Sequence, residues 1–363
     1  MLKRICRCMS FVFILTLLFT MFMSSNASAA TNYYVSPTGS DSNSGTSVST
    51  PFKTIEKAVS LAAAGSTIYL MPGTYKYGTN MIGTIVLGSK SGASTSNMTK
   101  ICAYDLSSKP VLDFSGQPVS SSSIGINITG GYWELSGLII KNCGDNGILM
   151  KGSSSTHNII NSCETYNNAD TGIQISSGAS YNTVKYCVSK YNVDASQGNA
   201  DGFACKLSPG EGNTFDNCIA EYNSDDGWDL YACYTSVKIT NCKSNYNGYL
   251  SNGSATSGNG EGFKLGGSDA NVAHIVTNCT AIGNQKKGFS SNNNPGHTVL
   301  TNCIAYEPKT IASGVTYYNF SMIDGPVTIN NCYSYQYNST ATSTKYRIKS
   351  GSTVNGGNMT ANY

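Results

Sequence analysis

Three short segments carry the residue types best suited to chemistry, and each is an acid followed by glycine and a large aromatic: Asp201-Gly202-Phe203, Asp226-Gly227-Trp228 and Glu261-Gly262-Phe263. Aligned on the glycine, Asp201, Asp226 and Glu261 share a column, Asp225 falls one place earlier, and Asp229 and Lys264 each fall two places after their glycine. If each segment is one turn of a stacked structure, Asp229 and Lys264 are neighbours, roughly 4.8 Å apart at the backbone. Asp201, Asp225, Asp226 and Asp229 then crowd onto two adjacent turns, where their repulsion is costly unless a cation offsets it. Hard oxygen ligands favour Ca²⁺ over softer metals. The same cluster would also serve as a purely structural calcium site that stiffens the stack.

The lysines nearby admit two readings. Lys264 sits in the Asp229 register beside the inferred ion; the ion and a second lysine oppose its protonation, whereas the aspartates favour it. Lys206 follows the Asp201 segment, and Lys286 and Lys287 follow the Glu261 segment one turn on. Together these three would form a cationic strip suited to a polyanionic sugar, or they are ordinary solvated lysines. His157, His274 and His297 lie in other registers and read as structural, and Asp145 and Asp170 read as turn residues. Past residue 29 the sole arginine is Arg347, read as part of a tail beyond the last coil. A general base on this face is therefore a lysine or a carboxylate.

The elements that must position these residues repeat along the chain. From about Leu138, cysteines recur at Cys143, Cys163, Cys187, Cys218, Cys242, Cys279, Cys303 and Cys332. Five residues after five of them stand Asn168, Asn192, Asn223, Asn247 and Asn284. Repetition at one register predicts an asparagine ladder inside successive bends, where stacked amides bond one another and the buried backbone. The cysteines read as a buried column of free thiols, because parallel neighbours do not readily reach the disulfide torsion. Spacings of about 22 to 25 residues, with insertions over Asn192 to Asn199 and Gly248 to Gly260, predict an all-β parallel β-helix with loops on one face. A short amphipathic helix, Thr54 to Ala64, would cap its open N-terminal end.

Lys3, Arg4 and Arg7, the apolar run Phe11 to Met23 and Ala27-Ser28-Ala29 together predict a signal peptide over 1–29, leaving 30–363 as an exported, extracellular protein with no membrane span. Removing the signal takes three of the 23 basic residues and none of the 20 acids, so the balance becomes 20 minus 20. Binding of nucleic acid through bulk charge is therefore excluded. A monomer is expected.

At Asn199-Ala200-Asp201-Gly202-Phe203, Ser224-Asp225-Asp226-Gly227-Trp228-Asp229-Leu230 and Gly260-Glu261-Gly262-Phe263-Lys264, the sequence resembles the family 9 polysaccharide lyases, secreted right-handed parallel β-helix pectate lyases. The resemblance implies Ca²⁺ binding by Asp201, Asp225, Asp226 and Asp229, and a general-base role for Lys264. It further implies β-elimination on α-1,4-polygalacturonate. Two other readings of the residues stand beside it: a β-helix glycoside hydrolase using Asp201, Asp225 and Asp226 as acid and base, and a calcium-stiffened solenoid that binds carbohydrate without cleaving it.

Overall fold

The computed structural model describes residues 29–77, 84–89, 94–311 and 313–363. The expected signal segment lies outside them except for its final residue. No helix among the described residues is long and apolar enough to cross a membrane.

The strands stack into three parallel sheets of 12, 10 and 10 strands, and each coil of chain gives one strand to each sheet in turn. One coil shows the plan: Thr183–Lys185 in the first sheet, Val188–Lys190 in the second and Phe203–Cys205 in the third. Most strands are only three residues long, and their middle side chain points inward, giving the intermediate-buried-intermediate pattern of Ile159–Asn161, Thr214–Asp216 and Val299–Thr301. This is the all-β parallel β-helix expected from the repeat.

The bends explain the repeating residue types. Between the first and second sheets the chain turns through a residue of positive φ directly before each ladder cysteine, as at Ser162, Asn217, Asn241, Asn278, Asn302 and Asn331. Asparagine tolerates that left-handed conformation better than most residues. The cysteines then fall inside the coil, and all eleven described cysteines are free. Their thiols meet backbone carbonyls, as Cys187 Sγ does with Ile160 O at 3.5 Å.

Between the second and third sheets runs the asparagine ladder. Asn168 Nδ2 donates to Asn192 Oδ1 at 2.9 Å, Asn192 to Asn223 at 2.8 Å, Asn223 to Asn247 at 2.8 Å and Asn247 to Asn284 at 3.0 Å. Each side-chain oxygen also accepts the backbone N–H of the asparagine one coil earlier, as Asn223 Oδ1 does from Asn192. A second ladder, Asn158, Asn182 and Asn213, occupies the bend back to the first sheet, with links of 3.0 and 3.2 Å. These asparagines stand five residues before Cys163, Cys187 and Cys218, a mirror of the first ladder. His274 takes the corresponding place before Cys279, and its Nδ1 accepts from Val237 N at 3.3 Å. Its structural reading is consistent with this placement.

Inside the third sheet Phe203, Trp228, Phe263, Phe289 and Phe320 form a buried column with ring centroids 4.8, 4.8, 4.7 and 5.0 Å apart. The glycine before each ring of the acid-glycine-aromatic segments is required by space. A Cβ on Gly227 would come within 2.1 Å of Ser244 Oγ and 2.6 Å of Gly262 O. The aromatic anchors the segment inward, the glycine lets the backbone press against the opposite wall, and the acid is fixed at the bend.

The capping helix, α1 (Ile55–Leu61), is shorter than the expected Thr54 to Ala64. Thr54 is its N-cap, accepting from Lys57 N, and the chain leaves helical geometry at Ala62, whose ψ is 129°. The periodicity of Ala62 to Ala64 suggested more helix, but Ser66 Oγ accepts Ala63 N at 3.1 Å and draws those residues into the strand entry. Ile55 and Ala58 are buried beside the first strands.

Two outcomes are expected. Titration of denatured, unreduced protein should find about eleven reactive thiols in residues 29–363, and a count near zero would contradict the free column. Asn223→Ala, which leaves Asn192 N–H without its acceptor and breaks the ladder to Asn247, should lower unfolding free energy by roughly 2–5 kcal/mol in denaturant melts. Exposed Thr340→Ala should stay within about 0.5 kcal/mol.

Candidate active site

The pairing of the third sheet puts Asp229 beside Lys264, on adjacent strands Trp228–Asp229 and Glu261–Lys264, as the aligned glycines predict. Around this pair, Asp201, Asp226 and Asp229 each offer a carboxylate oxygen, and these oxygens all lie within 4.8 Å of one another. All three acids are buried. Asp201 Oδ1 accepts Asp226 N at 3.1 Å, and Asp226 Oδ1 accepts Glu261 N at 2.8 Å, so each acid is tied to the bend of the next coil. Asp225 stands apart from the trio and accepts Asn259 N at 2.5 Å.

Two lysines enter the cluster. Lys264 Nζ lies 3.1 Å from Asp226 Oδ2 and 3.4 Å from Asp229 Oδ1. Lys206, expected on an outer cationic strip, sits inside instead, 2.7 Å from Asp201 Oδ2 and 3.2 Å from Asp229 Oδ2. The other two lysines of that strip are already engaged. Lys286 Nζ donates to Gly258 O at 2.6 Å, and Lys287 pairs with Glu261 at 2.5 Å.

The electrostatics of the cluster are unbalanced. Four aspartates against Lys206 and Lys264 give minus four plus two, or minus two at full ionisation. Burial pushes Asp201 up to about 7, against the pull of Lys206. Burial likewise drives Asp226 well above the usual carboxylate range, opposed by Lys264. For Asp229 burial acts in the same sense, but Lys206 and Lys264 outweigh it and hold the carboxyl low. Burial disfavours the charged form of Lys264, yet Asp226 and Asp229 more than offset this and keep its ammonium above the ordinary lysine range. Asp226 Oδ2 is buried and, although close to Lys264 Nζ, has no hydrogen-bond partner. An excess of acids over lysines and a convergent set of buried hard oxygens fit a divalent cation.

The cluster opens onto a cleft of about 340 Å³, which it shares with Asp170, Gln174, Tyr231 and Asn259. Its wall is built by the two insertions, which hold each other: Ser257 Oγ donates to Ser196 O at 2.6 Å, and Gly258 N to Gln197 O at 3.1 Å. Asp170, expected as a plain turn residue, does cap its own bend through Thr171 N at 2.7 Å, but it also lines this cleft. Gln174 was open to discovery, since it falls two places after Gly172 and shares the Asp229 column through Ala204. Tyr231, whose ring centroid is 6.0 Å from Lys264 Nζ, had no such signal.

Arg347 requires a correction. It is not in a tail beyond the coils but in the strand Tyr346–Ile348, which pairs with Tyr318–Met322 in the third sheet. The repeat is harder to follow here because this coil keeps Cys332 but has Tyr337 where the ladder asparagine would stand, and no acid-glycine-aromatic segment marks its third-sheet strand.

Comparison with known proteins agrees with this geometry. The family model described as the Pel9A-like, right-handed β-helix region matches residues 33–323. Pectate lyase L of Paenibacillus polymyxa is 41% identical over 295 residues, 77% of this chain, and the chain spans 64% of that relative. Pectate lyase L of Dickeya chrysanthemi is 36% identical over 325 residues, covering 85% of this chain and 75% of its own. The crystal structure of pectate lyase Pel9A superposes with a TM-score of 0.74 at 32% identity, covering 90% of this chain and 80% of that one. A rhamnogalacturonan lyase gives 0.78 at 24% identity, a likeness of fold alone. The chain therefore belongs to the Pel9A-like right-handed β-helix family, in keeping with the resemblance to family 9 polysaccharide lyases carried by its acid-glycine-aromatic segments.

Proposed function

We propose that the protein is a calcium-dependent pectate lyase that cleaves α-1,4-polygalacturonate by β-elimination, with Lys264 as general base. The observation that carries this reading is Lys264 Nζ held between Asp226 and Asp229 at the mouth of a cleft. Its relatives named as pectate lyases supply the substrate class. The residues that would hold Ca²⁺ are Asp201, Asp226 and Asp229, with Asp225 at the rim. Calcium, when bound, supplies positive charge beside the substrate carboxylate and so acidifies the proton at C5.

The rest is the work of the chain. Without compensation, Asp226 and Asp229 keep Lys264 protonated and burial opposes them. Once the carboxylates are neutralised, the opposing effect of burial prevails and favours the neutral amine a base requires. Lys264 Nζ takes the C5 proton, the electron pair forms the C4=C5 bond, and the 4-oxygen leaves and is protonated by solvent. Lys206 stays paired with Asp201 and balances charge. The two insertions hold the cleft wall, so the sugar is positioned by preformed structure.

Lys264→Ala should lose about 100- to 10,000-fold in turnover, and Lys264→Arg should also be poor because guanidinium resists deprotonation. Activity of the unaltered protein should rise into the alkaline range, since the base must lose a proton that the aspartates hold. Products should absorb in the ultraviolet; reducing ends without absorbance would instead favour hydrolysis by the paired aspartates.

A chelator should abolish turnover while circular dichroism retains the β signal. In metal-free protein, Asp226→Asn keeps an oxygen for Glu261 N and leaves Lys264 its contact with Asp229, and since burial already disfavours the Asp226 charge, the melting temperature near neutral pH should change little. The same variant should lose most of the stabilisation that Ca²⁺ gives. Equal calcium-induced shifts in both proteins would contradict the ligand assignment.

A further inference from the structure

The column that holds Asp229 and Lys264 continues beyond them. Strand pairing carries it from Lys264 to Ser290, then Ser321, then Arg347. Arg347 thus lies three strand spacings from Lys264 on the same face, roughly 14 Å away. It also lies outside residues 33–323, the part matched by the family model.

Its surroundings hold a cation ready and leave it without a counter-ion. The guanidinium carbon lies 4.1 Å from the ring centroid of Tyr318 and 5.3 Å from that of Tyr363. Nη2 donates to Ser321 Oγ at 3.0 Å. Nε is buried and has no partner among the described residues. No carboxylate among the described residues makes an ion pair with Arg347, whereas Lys206, Lys264 and Lys287 on the same sheet are all paired. A half-buried guanidinium flanked by two rings and lacking an anion has lost solvation without replacing it, an arrangement that an incoming carboxylate completes. Its planar fork also suits two parallel bonds to one carboxylate, which an ammonium does not offer.

We infer that Arg347, with Tyr318 and Ser321, forms a uronate-binding subsite on the third sheet three strands beyond Lys264, taking a carboxylate of the same polysaccharide chain several sugars from the bond being broken. The inference rests on the acidic-polysaccharide reading above. It makes Arg347 a binding residue that selects for chain length and for unesterified uronate, distant from the reacting atoms.

The test compares the unaltered protein, Arg347→Gln and Arg347→Lys on trimeric and octameric oligogalacturonates with calcium present. For Arg347→Gln the ratio of octamer KM to trimer KM should rise about tenfold, as for loss of a charge-assisted hydrogen-bonded pair. Arg347→Lys should recover only part of that ratio. An unchanged ratio overturns the inference, including the case in which both KM values rise together with a fall in melting temperature. If the unaltered protein makes no ultraviolet-absorbing product, the lyase reading fails separately. Calorimetric binding of the octamer then decides the subsite, with about tenfold weakening by Arg347→Gln supporting it and equal affinity overturning it.

Discussion

Parallel stacking at about 4.8 Å brings equivalent residues of successive coils into contact, so an acid repeated at one register meets its own copies. For asparagine, cysteine and phenylalanine that contact is favourable, giving amide ladders, thiol columns and the stack from Phe203 to Phe320. For Asp201, Asp226 and Asp229 it is repulsive, and burial makes it worse. Lys206 and Lys264 offset only part of the charge of Asp201, Asp225, Asp226 and Asp229, and a divalent ion can offset the rest. The scaffold holds these groups together at a cost that a ligand can relieve.

Such a cluster persists only where its surroundings are stiff. On one side of the segment the Asn192 to Asn284 ladder fixes the bend, directly ahead of Asp226 and across the two insertions from Asp201 and Glu261. On the other, the ring after each glycine is locked in the interior stack. The acid between them has little freedom to relax away from its neighbours, which is the sense in which the site is preorganised. The two insertions emerge from this same bend. Coil length is therefore relaxed at the place where a substrate wall is needed, and the rest of each coil keeps its short, uniform strands.

Much of this was legible in the sequence because a solenoid converts linear spacing into spatial adjacency. The Asp229 to Lys264 contact, the first asparagine ladder and the buried cysteines all follow from one alignment on Cys and Gly. The same alignment extended backward to Gly172 would have reached Gln174, and a search five residues before each cysteine would have reached Asn158, Asn182 and Asn213. What spacing could not give was side-chain direction. Lys206 and Lys287 carry the charge expected of a cationic strip, but each turns toward a buried acid and pairs with it. Arg347 was obscured because its coil keeps the strand register and Cys332 but has Tyr337 in place of the ladder asparagine.

The central claim is that neutralising Asp226 and Asp229 turns Lys264 from a held ammonium into a base. NMR of protein labelled at lysine Nζ, with the Lys264 resonance assigned through Lys264→Ala, measures its pKa directly with and without saturating Ca²⁺. The account predicts a pKa above the ordinary lysine value without the ion and a clear fall once the ion is bound. A Lys264 pKa that calcium leaves unchanged would contradict it.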